Sequence, residues 1–330
     1  MTTEQQEADK RVPVTILTGF LGAGKTTLLN NLVSAAPEKR LAIIVNEFGD
    51  VGIDADLINS GGEEPIELSN GCICCVIRGD LIRTLRKLFE VNKSLDGILI
   101  ETTGLANPSP IIQTLILDPV IAAHCRINSI VCVTDAKNIF SQLKLGDEAE
   151  NQIAVSDCII LNKTNEATVS VTEIEHTLEL LNPFAELTKT NRAQVDANYI
   201  FEENRFDLEK IEFDNLVVSA TTKNNHINDK GIKSVSLVSG KPMDETLLYQ
   251  WLQDLLEKFG ANILRTKGIF NIAGKNEKLV VQAVNMMIEG DYFKCWDDTL
   301  RLSRIVFVGR RLDEELLREG FEKCHHNITT

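Results

Sequence analysis

In the first half of the chain the apolar residues gather in short, unbroken runs. VPVTIL (12–17), LAIIV (41–45), GILIE (97–101), INSIVCVTD (127–135) and CIILN (158–162) are rich in β-branched side chains and bounded by turn residues. Runs of this kind predict strands buried on both faces. Between them the apolar spacing widens to that of one helix face, in TTLLNNLVSAA after the first run, LIRTLRKLFEV (81–91) and VTEIEHTLELL (171–181). Strands alternating with helices predict an α/β fold, a mostly parallel sheet covered by helices. The pattern fades after about residue 195, and 201–231 is dominated by Asn, Asp, Glu and Lys, as a linker would be. Beyond it VSLV, ILRTKGIFNI, LVVQAVNMM and SRIVFVG predict strands, and DETLLYQWLQDLLEKF and LDEELLREGFEKC predict helices, a smaller α+β unit. The expected organisation is a disordered N-terminus (1–11), a nucleotide-binding domain (12–200), a linker (201–231) and a C-terminal domain (232–326), without internal repeats.

Composition agrees with two domains, since 330 residues exceed one comfortable core. Apolar residues make up 43% and charged residues 25%, as in soluble globular proteins. A net charge of −14 disfavours nucleic acid and anionic membranes as partners. No apolar run reaches the roughly 20 residues of a membrane span, and MTTEQQEADKR lacks the apolar core of a signal peptide. The expected location is the cytoplasm, with the nucleus as a second compartment, and the eight cysteines should be reduced there. Cys132 and Cys158 fall inside apolar runs and read as small core residues. Cys72, Cys74 and Cys75 cluster, and the cluster needs a chemical reason.

GFLGAGKTT (19–27) fits the phosphate-loop pattern G-x-x-x-x-G-K-[ST], with a buried strand before it and a helix after it. Gly19, Gly22, Ala23 and Gly24 let backbone N–H groups close around a phosphate, and Lys25 reaches the terminal phosphates. The Thr26 hydroxyl is placed to ligate Mg²⁺, and Thr27 follows in the same turn. Glu101 ends the third strand, where such proteins keep an acid near Mg²⁺ or its water, and Gly104 lies at switch distance. LNKTN places Asn162, Lys163, Thr164 and Asn165 where guanine readers carry Asn-Lys-x-Asp. Asn165 departs from that pattern, because an amide offers one acceptor and one donor where a carboxylate accepts twice.

SNGCICCVIRGD (69–80) puts the three clustered thiols in a loop before the helix expected from Leu81. Thiols at this density suit a soft ion, with Zn²⁺ and Cu⁺ as candidates, and three thiolates leave a tetrahedral Zn²⁺ one ligand short. Water, Glu47 or a client's ligand would complete it. NEFGDVGID (46–54) lies where a nucleotide-sensing switch belongs, and its acids Glu47, Asp50 and Asp54 suit either Mg²⁺ or the thiolate-bound metal.

Taken in order, TGFLGAGKTTLLNNL, NEFGDVGID, NGCICC, IETTGLANPSPI and LNKT resemble the CobW-type branch of P-loop GTPases. ILRTKGIF, a tryptophan and RIVFVGRRLDEE are similar to that family's C-terminal domain. The resemblance covers roughly residues 12–324, and it is strongest toward the zinc-regulated GTPase metalloprotein activators. It implies a GTPase using GTP and Mg²⁺ that hands Zn²⁺, or cobalt in some members, to a client apo-metalloenzyme. Eukaryotic members often dock a methionine aminopeptidase through an N-terminal Cys-Pro-x-Leu-Val motif, which residues 1–13 lack, so the client stays open. A nucleotide-switched zinc buffer or sensor is the alternative. Weaker signals are Cys324, His325 and His326 as further metal ligands, and Arg265 and Lys267 as groups facing nucleotide from the second domain or forming a solvated basic turn.

Overall fold

The computed structural model describes residues 9–45, 66–67, 76–91, 94–201, 231–284, 286–296 and 300–326. Within them β1 (Val12–Thr18), β2 (Leu41–Val45), β3 (Ile66–Glu67), β4 (Gly97–Glu101), β5 (Cys125–Asp135), β6 (Cys158–Asn162) and β7 (Glu186–Lys189) form one sheet. Its order is β3-β2-β4-β1-β5-β6-β7, and every pairing is parallel. The period-two pleat sends alternate apolar residues to opposite faces. Val14, Ile16, Ile98 and Ile100 pack with Leu81, Leu85 and Leu88 of helix α2 (Val76–Val91) and with Ile111, Ile112 and Leu115 of α3 (Ser109–Leu117). Leu17, Leu99, Val131 and Ile160 face the other way, onto Leu28, Leu29 and Leu32 of α1 (Lys25–Ala35). Five further helices complete the layer: α4 (Pro119–His124), α5 (Ile139–Leu145), α6 (Glu148–Val155), α7 (Val171–Leu181) and α8 (Ala197–Phe201).

The second unit is an antiparallel sheet of β8 (Ile232–Ser239), β9 (Ile263–Asn271), β10 (Glu277–Val284), β11 (Met287–Cys295) and β12 (Ser303–Arg310), ordered β11-β10-β9-β12-β8. Val235, Leu237, Phe270, Val281 and Phe307 on one face meet Leu248, Leu252 and Leu255 of α9 (Glu245–Phe259) and Leu317 and Phe321 of α10 (Glu314–Lys323). The two helices cross at Gly320, where an added Cβ would lie 2.0 Å from the indole nitrogen of Trp251. The fold class is therefore a P-loop NTPase-like parallel sheet followed by a smaller antiparallel domain.

Two expected elements are redrawn. The single strand expected at 279–287 is a hairpin: the chain reverses so that Val284 pairs with Met287, with Met286 at φ 69°. The following strand, MIEGDYFKC, is an edge strand with mostly exposed side chains, so it lacks the apolar run that would mark it. The helix expected from Leu81 begins earlier, at Val76. Gly79 is exposed and tolerated inside it at a modest propensity cost, and Asp80 pairs with Arg83 one turn on.

Ile232, Leu264, Val284 and Val308 of the second sheet join the core of the first, beside α6 and α7. Arg265 lies in this joint at 1% exposure, bonded to the Val155 carbonyl at the end of α6 and ion-paired with Asp157, also 1% exposed. Neither Arg265 nor Lys267 faces the phosphate loop or forms a solvated turn. Their strand is central in the second sheet and covered by the first domain, which leaves no route to water.

Candidate functional site

The polar residues of interest collect at the carboxyl ends of β1, β4, β5 and β6, where a parallel sheet opens its crevice for ligands. Gly19 follows β1 at φ 135°, and a Cβ there would lie 2.1 Å from the Val133 carbonyl oxygen. Gly24 (φ 108°) is equally constrained, because a Cβ would meet the Asn162 side-chain nitrogen at 2.5 Å. Gly22 adopts φ 73°, and Ala23 between them is fully buried. Helix α1 starts at Lys25 with no side-chain cap and no acid in its first turn, so its leading N–H groups and dipole suit an anion.

Lys25 is only 8% exposed, and its Nζ donates to the Phe20 carbonyl at 3.3 Å. Burial pushes its pKa below the ordinary lysine value, with Glu101 pulling the other way. Thr26 donates from Oγ1 to Glu101 Oε1 at 2.8 Å, and Glu101 is itself buried at the end of β4. Thr27 is exposed on the outer side of the turn. Gly104 rests directly on the loop: a Cβ there would come 2.5 Å from the Leu21 backbone nitrogen.

At the end of β6, Asn162 ties three segments together. Its Nδ2 donates to the Ala23 carbonyl at 2.9 Å and its Oδ1 accepts from Ala193 N–H at 2.9 Å. Lys163 takes a left-handed φ of 58° and reaches back, donating to the Gly22 carbonyl at 2.7 Å and to Asp135 at 2.8 Å. Burial alone would push the Asp135 carboxyl up, but hydrogen bonds from Lys163, Asn138 and the Lys137 N–H hold it below the usual range. Thr164 donates to the Thr190 carbonyl, and exposed Asn165 has its N–H fixed by Asn191 Oδ1 at 2.9 Å. Asp135, Asn191 and the Arg192–Ala193 turn (φ 55° and 50°) thus join this candidate site, although no motif in the sequence marks them. Position was the available signal, since Asp135 ends its apolar run as Asn162 ends the next.

Cys72, Cys74, Cys75 and Glu47, with the rest of the 46–54 segment, lie outside the described residues. Among the described residues no group of three or more His, Cys, Asp or Glu is placed to hold a metal. Cys324, His325 and His326 diverge: Cys324 is buried with its thiol on the Gly320 and Leu247 carbonyls, His325 bonds Ser239 at 2.8 Å, and His326 faces Asp244. Among the described residues no helix is long and apolar enough to cross a membrane.

Residues 13–189 match the family model described as CobW/HypB/UreG, nucleotide-binding domain, and residues 232–325 match the cobalamin synthesis protein CobW C-terminal domain. The zinc chaperone YjiA of Escherichia coli is 32% identical over 94% of this chain and 98% of its own. The zinc-regulated GTPase metalloprotein activator 1 of Schizosaccharomyces pombe is 42% identical over 56% of this chain and 47% of its own. The crystal structure of Zn(II)-bound YjiA GTPase from E. coli superposes with a TM-score of 0.78, covering 96% of this chain and 99% of that one at 29% identity. With more than half of its length matched by the nucleotide-binding model and its second sheet by the partner domain, the chain belongs to the CobW/HypB/UreG family of P-loop GTPases.

Proposed function

We propose that this chain couples GTP hydrolysis to the transfer of zinc to a client apo-metalloenzyme. The observation that carries the reading is the Thr26–Glu101 pair beside buried Lys25, in a chain whose sequence holds three thiols, Cys72, Cys74 and Cys75, within four residues. The names of its relatives, a zinc chaperone and a zinc-regulated GTPase, support it.

The residues present fit Mg²⁺, because Thr26 and Glu101 already bring a hydroxyl and a carboxylate oxygen together, both hard donors. Bound there, Mg²⁺ would offset charge on the β- and γ-phosphates. Gly19, Gly22, Ala23, Gly24 and Thr27 shape the loop whose N–H groups meet phosphate oxygens. Lys25 brings a cation with little water around it, which strengthens its attraction to the γ-phosphate. Water attacks the γ-phosphorus in line, and the bond to the β–γ bridging oxygen breaks. Asn162, Lys163, Thr164 and Asn165 hold the base end. Cys72, Cys74 and Cys75 hold the zinc cargo as thiolates, with Glu47 in a fourth position that a client's ligand takes over on transfer. The client is a metalloenzyme, with a methionine aminopeptidase as its narrower identity, in the cytoplasm or nucleus.

Phosphate release from GTP, measured with and without Zn²⁺, tests the coupling. Zn²⁺ should raise turnover in the wild type and leave a Cys72→Ser, Cys74→Ser, Cys75→Ser variant unchanged. Zinc affinity should also differ between the GTP and GDP states, and nucleotide affinity should change reciprocally with zinc. Turnover blind to zinc, with equal zinc affinity in both states, would leave a plain buffer.

A further inference from the structure

Helix α6 is gripped from three sides, and each grip leads somewhere different. From the second sheet, Arg310 donates to Asn151 Oδ1 at 2.6 Å, to Glu150 Oε2 at 2.9 Å and to the Asp147 carbonyl at 3.3 Å, all at the start of the helix. Arg265, from the same sheet, takes the Val155 carbonyl at its end, where a cation complements the helix dipole. Between them Gln152, fully buried, points the other way. Its Nε2 donates to the carbonyls of Gly104 (3.1 Å) and Ala106 (3.0 Å), in the loop that follows Glu101. Two carbonyl partners dictate which end of the amide faces them, since a carbonyl can only accept.

That loop has the nucleotide side as its front. Gly104 presses on the Leu21 backbone of the phosphate loop, and Thr102 N–H is fixed to the Leu17 carbonyl. Gln152 is its back support. The support is made at a cost, because Gln152 Oε1 is buried with no hydrogen-bond partner among the described residues. An apolar side chain would fill the same space without that loss. What the amide adds is a tether to two peptide groups.

We propose that Gln152 is a positioning residue for hydrolysis, and that α6 links the loop after Glu101 to the second domain through Arg310 and Arg265. Gln152 acts on the loop's backbone, at the carbonyls of Gly104 and Ala106. It fixes where Gly104 and the chain leaving Glu101 sit when the γ-phosphate arrives, and the second domain fixes where Gln152 sits.

The test uses the full chain. Gln152→Met keeps length and volume and removes both donors. Its kcat for GTP should fall about tenfold through misplacement of the loop, with KM and GDP affinity unchanged. Arg310→Gln, in the second sheet and only partly buried, should lower kcat in the same sense. The double variant should lose no more than Gln152→Met alone, because both act through one helix. A packing role would lower the melting temperature and leave kcat intact. Wild-type kcat in folded Gln152→Met would overturn the positioning role. Losses that multiply in the double variant would overturn the link through α6. Should Gln152→Met fail to fold, wild-type kcat in Arg310→Gln would overturn the link by itself.

Discussion

Two buried lysines sit in two regions that use charge in opposite ways. Lys25, at the mouth of the parallel sheet, is 8% exposed, and Lys267, in the joint between the domains, is 7% exposed. Burial pushes both pKa values down. Lys25 has an acid, Glu101, within electrostatic reach and an uncapped helix start beside it, so the region favours the arrival of a polyanion. Lys267 lies under the Phe184 ring (5.7 Å), and its like-charged neighbour Arg265 adds to burial in lowering it to about 7. There the anion is built in: Asp157 pairs with Arg265 and also accepts from Ile130 N–H at 2.9 Å. One region keeps its electrostatics incomplete until a ligand comes, and the other completes them within the fold. Changes in the first should therefore cost activity, and changes in the second should cost stability.

Replacing Lys25 is expected to have the largest effect. Lys25→Ala should abolish GTP hydrolysis and weaken nucleotide binding while leaving the denaturation midpoint unchanged or slightly higher, since an under-solvated cation is removed. A large fall in stability would erase the contrast between the regions. Arg265→Ala comes next. Stranding Asp157 without its partner should cost about 3–5 kcal/mol in denaturant unfolding, with nucleotide affinity kept in the folded fraction. Replacing both members by apolar residues of similar size should recover most of that loss, which a purely Coulombic account would not expect. The smallest effect belongs to Asn165, which is exposed. Asn165→Asp should sharpen discrimination of GTP over ATP by about tenfold through a charge-assisted pair to guanine, with Zn²⁺ affinity unchanged. Titrating GTP, XTP and ATP against both forms checks it, and exclusive GTP binding by the wild type would remove Asn165 from base reading.

The same contrast sets what the sequence could reveal. VPVTIL followed by GFLGAGKTT declares strand, loop and helix in sixteen consecutive residues, because phosphate binding by backbone groups is a local problem. Glu101 could be placed because it ends an apolar run. The joint is not legible in the sequence: Arg265 meets Asp157 across 108 residues, and two cations at alternate positions of ILRTKGIF look solvent-facing until the first domain covers them. Asn191 was passed over for a related reason, since its role is to hold Asn165 and Thr164, 26 and 27 positions away. Strands β7 and β11 lie on sheet edges, where half their side chains meet water and the hydrophobic period is diluted.

The scattered cysteines set what a chemical probe of this protein will see. Cys125, Cys132, Cys158 and Cys324 are all buried. Burial pushes the thiols of Cys125 and Cys132 up to about 12 and that of Cys324 up to about 11. Groups so far from ionising present no thiolate at neutral pH, and the thiolate is the form that alkylates and binds metal. In the native protein an alkylating reagent is thus spared these backgrounds, and among the described residues it meets exposed Cys295. If Cys72, Cys74 and Cys75 carry the cargo as proposed, its loading and release become countable as reactive sulfhydryls lost and regained, without a metal-sensitive dye and without mutating a single residue.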